Sequence, residues 1–166
     1  MKCLLSFNIP IKTAIQTLQQ LKQHSNANER FFSLDVCMID RERQRATFYK
    51  KGATPTFFIR DHQIELINLA QLPVGVMSDQ DVDHVTLDLQ EDDILIMCSD
   101  GIVEQYPDIT DLEHMILGQV GIPPKHMAKN ILQTTVSKHK GKIRDDMMVL
   151  VVEYKRQGVS QAQYAS

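Results

Sequence analysis

The sequence lacks a strong charge of one sign, a long apolar run and a signal peptide. Its 18 basic and 21 acidic residues leave a net charge of −3, which gives no electrostatic reason to expect binding to nucleic acid or to an acidic membrane. No apolar stretch approaches the roughly 18 residues that a membrane-spanning helix needs, and no signal peptide is recognisable. We therefore predict a cytoplasmic location without nucleic-acid or membrane contact, although a parent protein anchored in a membrane is compatible with the sequence.

Cysteine is scarce, and histidine lacks the spacing of a metal site. The three cysteines, Cys3, Cys37 and Cys98, form no CxxC motif, and the last two lie in apolar, strand-like runs. Such positions favour buried free thiols and a reducing compartment over a metal or redox role. The six histidines include no HExxH motif and no close pair, which predicts surface or packing positions for them. The sequence also shows no Gly-rich phosphate loop and no Ser-His-Asp order.

Apolar residues make up 43% of the 166 positions, which is enough to build the core of one domain. Helical spacing of apolar residues predicts helices at about 10–24, 110–119 and 123–139. About seven short apolar or alternating segments are joined mostly by polar turns, which is typical of hairpin-connected strands. Strands paired in hairpins, with helices towards the two ends of the sequence, predict the α+β class built on antiparallel sheets.

Two of the predicted strands carry carboxylates at one end. The segment LIMCSDGIVE, residues 95–104, is an apolar run that stops at Ser99-Asp100-Gly101, whereas IRDDMMVLVVEY, residues 143–154, begins with Asp145 and Asp146. If the two strands are antiparallel neighbours, the end of one lies beside the start of the other, and the carboxylates converge. Converging carboxylates repel one another unless a cation lies between them, and oxygen ligands suit Mg²⁺ or Mn²⁺ rather than zinc.

The same carboxylates have a simpler interpretation. Asp-Gly and Asp-Asp are common turn sequences, and either pair can flank a strand without binding anything. Gly101 fits both interpretations, because a residue without a Cβ atom lets the chain turn sharply, beside an ion or elsewhere. The spacing of these residues alone leaves the choice open.

Four motifs in order, GATPTFFIR, LPVGV, DDILIMCSDGIVE and DDMMVLVVE, extend the pattern over most of the chain. Together they resemble the PPM-type (2C-type) metal-dependent protein serine/threonine phosphatases, and most of all the sporulation and stress-response branch typified by stage II sporulation protein E. The resemblance implies an α-β-β-α sandwich, two antiparallel sheets flanked by helices. It further implies two Mn²⁺ or Mg²⁺ ions and a regulatory phosphoprotein substrate of the anti-sigma-factor antagonist type, in sporulation or stress signalling. A homodimer is compatible with this reading.

The resemblance also implies roles for the carboxylate-bearing residues. Asp100 and Gly101 match the family's Asp-Gly motif, and Asp145 with Asp146 matches its last acidic motif. These four positions are therefore the expected metal-binding residues. Met148 stands where the family usually has threonine, which is expected to alter strand packing more than chemistry.

The motif GATPTFFIR opens with a loop that the resemblance places near the metal edge of the sandwich. Gly52 and Thr54 of this loop are therefore candidate substrate-binding residues. A turn that only shapes the backbone explains the same residues equally well, since glycine and proline commonly punctuate the chain. No residue is assigned as a catalytic acid, base or nucleophile.

Two acidic motifs of the family are missing from the sequence, namely an Asp-Gly-x-Gly and a still earlier aspartate. The family order would place both before Met1. We therefore expect residues 1–154 to be the C-terminal two-thirds of an N-terminally truncated phosphatase domain, followed by a polar tail at 155–166. On this reading the 166-residue chain alone is inactive. The alternative is a non-catalytic regulatory or binding module that kept the sandwich.

Overall fold

A computed structural model of the chain describes residues 10–23, 31–76, 82–138 and 145–156. The elements in these ranges are, in chain order, α1 (Ile11–Gln23), β1 (Leu34–Asp40), β2 (Arg45–Lys51), β3 (Thr56–Arg60), β4 (Gln63–Ile67), β5 (Val85–Asp88), β6 (Ile94–Cys98), α2 (Asp100–Val103), α3 (Ile109–Leu117), α4 (Pro124–Lys138) and β7 (Val149–Glu153).

The strands form two sheets in which every neighbouring pair is antiparallel. One sheet has the order β1-β2-β5 and the other the order β4-β3-β6-β7. Tight turns set the register of the hairpins. Asp61 and His62, for example, adopt φ angles of 50° and 61° and join β3 to β4, so that Arg60 lies opposite Gln63.

Three apolar layers hold the sheets and the helices together. Alternation along each strand sends successive side chains to opposite faces, so each sheet has an inner and an outer apolar face. Ile11 and Ile15 of α1 pack with Tyr49 on the outer face of the three-stranded sheet. Helices α3 and α4 cover the outer face of the four-stranded sheet, and the two inner faces meet around Phe48 and Phe58. This order of helix, sheet, sheet and helix confirms the predicted α-β-β-α sandwich.

One helix and one burial state differ from the sequence-based predictions. The residues directly after β6, Asp100–Val103, form the helix α2, where the sequence predicts only a turn. Cys37 is half-buried rather than buried, because it lies on the edge strand β1. Cys98 lies on the central strand β6 and is buried as predicted. Neither difference changes the architecture.

The two ends of the chain are described only in part. Residues 1–9, with Cys3, and residues 157–166 lie outside the described ranges. The predicted polar tail begins at residue 155, and Lys155 forms an ion pair with Asp92. Within the described ranges, no helix combines the length and the apolar character needed to cross a membrane.

Candidate metal and substrate site

Strands β6 and β7 bring the two carboxylate-bearing segments to the same end of the four-stranded sheet. The strands are antiparallel neighbours, with Cys98 at the end of β6 opposite Val149 at the start of β7. The Ser99 amide extends the pairing by donating to the Met148 carbonyl at 3.0 Å. The predicted antiparallel pairing is confirmed, and the two segments meet at one edge.

The side chain of Ser99 fixes these segments against each other. Its hydroxyl accepts a hydrogen bond from the Met148 amide at 2.9 Å and donates one to the Asp146 carbonyl at 2.9 Å. Serine suits this role, because its short side chain readily hydrogen-bonds to backbone groups nearby. As a result, the backbone of Asp146 is held beside the residue that precedes Asp100.

Gly101 permits the closest approach between the two segments. A Cβ atom at this position would lie 2.4 Å from the Asp146 carbonyl oxygen and 3.3 Å from the Asp145 carbonyl oxygen. Any side chain here would push the segments apart, since real Cβ atoms do not approach an oxygen to 2.4 Å. Gly101 therefore contributes space to the site rather than a ligand side chain.

The carboxylates of Asp100 and Asp145 are exposed, and each uses one oxygen locally. Asp100 Oδ1 accepts from the Gly101 amide at 2.9 Å, and Asp145 Oδ1 accepts from the Asp146 amide at 2.7 Å. In the described part of the chain, their Oδ2 atoms and the Asp146 carboxylate have no hydrogen-bond or ion-pair partner. Carboxylate oxygens without a basic partner are suitable ligands for a hard divalent cation.

The described residues supply only part of such a site. Among them, no three Asp, Glu, His or Cys side chains are grouped closely enough to hold a metal ion. Mg²⁺ and Mn²⁺ need several oxygen ligands to offset the loss of hydration. The donor chemistry of Asp100, Asp145 and Asp146 thus fits the expected metals, while the number of ligands falls short of a full coordination shell.

A cavity of about 390 Å³ opens beside this strand edge. Ser99 and Asp100 form one side of its wall, and Gly52 and Thr54 from the loop between β2 and β3 form another. The structure thus brings the predicted substrate loop and one predicted metal residue to a single cavity. The pair at 145–146 is not among the residues that line it.

Backbone and side-chain contacts hold the loop that carries Gly52 and Thr54. Gly52 has a φ of +59°, its amide donates to the Gln71 carbonyl at 2.8 Å, and a Cβ atom would lie 2.4 Å from Pro73 Cγ. The Thr54 hydroxyl donates to the Cys98 carbonyl at 2.5 Å and ties the loop to the end of β6. Both residues therefore shape the cavity wall, and contact with a substrate stays a prediction.

Asp35 and Lys50 belong to the same region, although the sequence did not single them out. They lie opposite each other in the β1–β2 pair, and Lys50 Nζ donates to Asp35 Oδ2 at 2.7 Å. Burial raises the pKa of Asp35 and lowers the pKa of Lys50, and their pairing opposes both shifts. Both charges lie on the same inner face as Cys37 and Phe48, and no pattern within either strand alone signals this placement.

Comparison with known proteins places the chain in a family. The family model described as stage II sporulation protein E (SpoIIE) matches residues 2–155. Stage II sporulation protein E of Bacillus subtilis (strain 168) is 30% identical over 153 residues, which cover 90% of this chain and 18% of that protein. The chain therefore spans less than a fifth of the length of this relative.

Solved structures of SpoIIE from Bacillus subtilis share the fold. The PP2C phosphatase domain with a fragment of the regulatory domain has a TM-score of 0.84 at 29% identity, covering 93% of this chain and 48% of the solved one. The manganese-presoaked phosphatase domain has a TM-score of 0.71 at 27% identity, covering 95% of this chain and 72% of the solved one. The family match, which extends over nearly the whole sequence, shows that the chain belongs to the stage II sporulation protein E (SpoIIE) family.

Proposed function

We propose that the chain is part of a metal-dependent protein phosphatase that removes phosphate from phosphoserine or phosphothreonine of a regulatory protein. The observation that carries the proposal is the meeting of the two carboxylate segments beside a cavity whose wall includes Gly52 and Thr54. Membership of the SpoIIE family and the likeness to a solved PP2C phosphatase domain support the same reaction class.

In this proposal, Asp100 and Asp145 hold Mn²⁺ or Mg²⁺, with Asp146 as a weaker or outer ligand. Two such ions, when bound, supply positive charge to the phosphoryl oxygens and activate water. Other groups of the chain position these ligands. The Ser99 hydroxyl holds the two carboxylate segments against each other, and Gly101 leaves room for their close approach. The manganese-presoaked form of the Bacillus subtilis domain makes Mn²⁺ the first ion to test.

The phosphorylated partner would reach the site over the loop that carries Gly52 and Thr54. A cavity of about 390 Å³ accommodates a phosphorylated side chain and its neighbours but not a folded domain. The partner therefore has to present an exposed phosphorylated segment. We propose an anti-sigma-factor antagonist as this partner, acting in sporulation or stress signalling in the cytoplasm, and a homodimer as the assembly to test.

We also propose that residues 1–154 form the C-terminal two-thirds of the phosphatase domain. Both β1 and β7 are edge strands, and a groove of about 300 Å³ between them is lined by apolar residues that include Ile39, Leu150 and Val152. Leu150 is 49% exposed, although it lies on the inner face of its sheet. Edge strands with exposed apolar side chains are suited to pairing with further strands. The 72% coverage of the solved phosphatase domain agrees with such an extension.

A non-catalytic regulatory or binding module with the same sandwich is the second candidate. Its support is the incomplete set of metal ligands among the described residues. The retained Asp100 and Asp145 speak against it, because a purely structural descendant needs neither carboxylate. The close approach of the two segments at Gly101 would be equally unnecessary in such a module.

Phosphate release separates the two candidates. Three proteins are compared at one Mn²⁺ concentration: the 166-residue chain, a chimaera in which this chain replaces the matching part of the Bacillus subtilis phosphatase domain, and the same chimaera with Asp145→Asn. With a phosphoserine-containing anti-sigma-factor antagonist as substrate, we expect release by the chimaera and none by the chain alone. The Asp145→Asn chimaera should be at least about 100-fold slower.

Three other outcomes of this comparison would change the proposal. A folded but inactive chimaera would favour the binding module. Activity of the 166-residue chain alone would contradict the proposed extension of the domain. Full activity of the Asp145→Asn chimaera would contradict the assignment of Asp145 as a metal ligand.

A further inference from the structure

Lys50 is a charged side chain in the apolar layer between the two sheets. It is 1% exposed, and it lies on the same face of β2 as Ala46 and Phe48, which are fully buried. Removal of an ammonium group from water is costly, and an apolar pair of similar size often stabilises a fold as well as a buried ion pair. The burial of this charge therefore calls for a role other than stability.

The ammonium group joins two separate segments. Lys50 Nζ donates to Asp35 Oδ2 on β1 at 2.7 Å and to the Thr54 carbonyl in the loop after β2 at 2.8 Å. Thr54 in turn donates its hydroxyl to the Cys98 carbonyl, two residues before Asp100. A continuous path of polar contacts thus runs from β1 through the loop to the end of β6.

Both partners of Lys50 belong to the wall of the candidate site. Asp35, Thr54, Cys98 and Asp100 all line the cavity of about 390 Å³, whereas Lys50 is buried behind them. The other carboxylate oxygen of Asp35, Oδ1, is buried without a hydrogen-bond partner in the described part of the chain. The Lys50 ammonium group therefore contacts two residues of this wall, Asp35 and Thr54.

We propose that Lys50 is a positioning residue, which sets the distance between the Thr54 loop and Asp100. The inference rests on the proposed phosphatase function, in which the Thr54 loop contacts the phosphorylated side chain and Asp100 binds the metal. The position of the loop is measurable without any activity, so a failure of the one proposal is distinguishable from a failure of the other.

Arg60 and Asp93 provide a matched ion pair away from the cavity. Arg60 Nη2 lies 2.6 Å from Asp93 Oδ2, and Asp93 is 1% exposed. This pair joins the end of β3 to the start of β6, whereas Thr54 precedes β3 and Cys98 ends β6. The substitution Arg60→Met therefore leaves a buried carboxylate without its cation but does not touch the cavity.

The experiment measures how strongly added Mn²⁺ broadens the nuclear magnetic resonance signal of the Thr54 methyl group in the 166-residue chain. The broadening falls steeply with distance from the ion, so it reports whether the loop is close to Asp100. We expect Lys50→Met to lose the broadening and to lower the urea midpoint of unfolding. Asp35→Leu/Lys50→Met should recover the midpoint without recovering the broadening. Arg60→Met should lower the midpoint and keep the broadening.

If the Thr54 methyl signal of the double variant broadens as much as that of the wild-type chain, the inference is overturned. The pair would then stabilise the fold without positioning the loop. If neither Lys50 variant folds, Thr54→Val decides, since it cuts the link to Cys98 without leaving a charge unpaired. If Mn²⁺ no longer broadens the Val methyl signals of this variant while its urea midpoint is unchanged, the inference is supported. If the broadening remains, the inference is overturned. If the wild-type chain shows no broadening, the proposed metal site is wrong. The nuclear Overhauser contact between the Thr54 methyl group and Cys98, measured without metal in the same variants, then decides the inference.

Discussion

Ser99 and Met148 are hydrogen-bonded to each other twice. The Ser99 amide donates to the Met148 carbonyl at 3.0 Å, and the Met148 amide donates to the Ser99 hydroxyl at 2.9 Å. The second bond uses a side chain where a regular strand pair uses the backbone, and the same hydroxyl also donates to the Asp146 carbonyl. One small side chain therefore determines where the segment with Asp145 lies relative to Asp100.

Ser99→Ala should destabilise the chain by about 1–2 kcal/mol, because it leaves the Met148 amide and the Asp146 carbonyl without their partner. The Met148 amide should then exchange its hydrogen faster, as measured residue by residue by nuclear magnetic resonance. Ser99→Thr keeps the hydroxyl and should restore most of the protection. Ser33→Ala is the control, because Ser33 is an exposed serine that lines the same cavity as Ser99. It should change neither the stability nor the exchange of the Met148 amide. Unchanged exchange of the Met148 amide in Ser99→Ala would contradict the role of the hydroxyl.

Gly101→Ala should lower the free energy of unfolding by about 1–3 kcal/mol, because the added methyl group would meet the Asp146 carbonyl oxygen. The displaced segments should also bind Mn²⁺ about 10- to 100-fold more weakly. Gly118→Ala is the matched control. Gly118 follows α3 with a φ of −64°, and its added Cβ atom would meet nothing closer than 3.6 Å. We expect this control to change stability by less than about 1 kcal/mol, and an equal cost at both glycines would contradict the close approach at Gly101.

Cys98 should be unreactive in the folded chain. Burial raises the pKa of its thiol from 9.0 to about 12. Because a group whose pKa is raised on folding contributes stability that is complete below the unfolded value, this contribution is lost as the pH rises from about 9 towards 12. The stability difference between the chain and Cys98→Ala should therefore shrink above about pH 9. A thiol reagent at about pH 8 should label Cys98 only after unfolding in urea, and peptide mass spectrometry that found native labelling would contradict its burial.

Local patterns in the sequence were sufficient to identify the two strands that carry the carboxylates, but not to show that these strands are neighbours. The apolar run that ends at Asp100 and the one that follows Asp145 identify the strands β6 and β7. Three described helices lie between them in the chain, so their pairing was only a condition of the prediction. The helix α2 could not be predicted, because four residues that include Gly101 show no helical periodicity. The role of Ser99 could not be predicted either, since a serine before Asp-Gly is an ordinary turn residue. The two groups that its hydroxyl binds, the Asp146 carbonyl and the Met148 amide, lie on a segment far away in the sequence.

The pairing of Lys50 with Asp35 depends on features that a single strand does not show. It requires the register of β1 against β2, and a slip of β1 by one residue would move Asp35 to the outer face, away from Lys50. A charged residue at an inward position is also rare enough that the sequence favours an exposed face for it. The wall of the cavity could therefore be recognised only once the strands were placed.

Calorimetric titration of the 166-residue chain with Mn²⁺ measures whether Asp100 and Asp145 belong to one metal site. We predict weak binding, because two or three carboxylates provide few of the oxygen ligands that the ion needs. Asp100→Asn and Asp145→Asn should each abolish this binding, whereas Asp111→Asn, at an exposed acidic residue of α3, should leave it unchanged. Tight Mn²⁺ binding that survives both Asp100→Asn and Asp145→Asn would show that these two aspartates do not form the metal site.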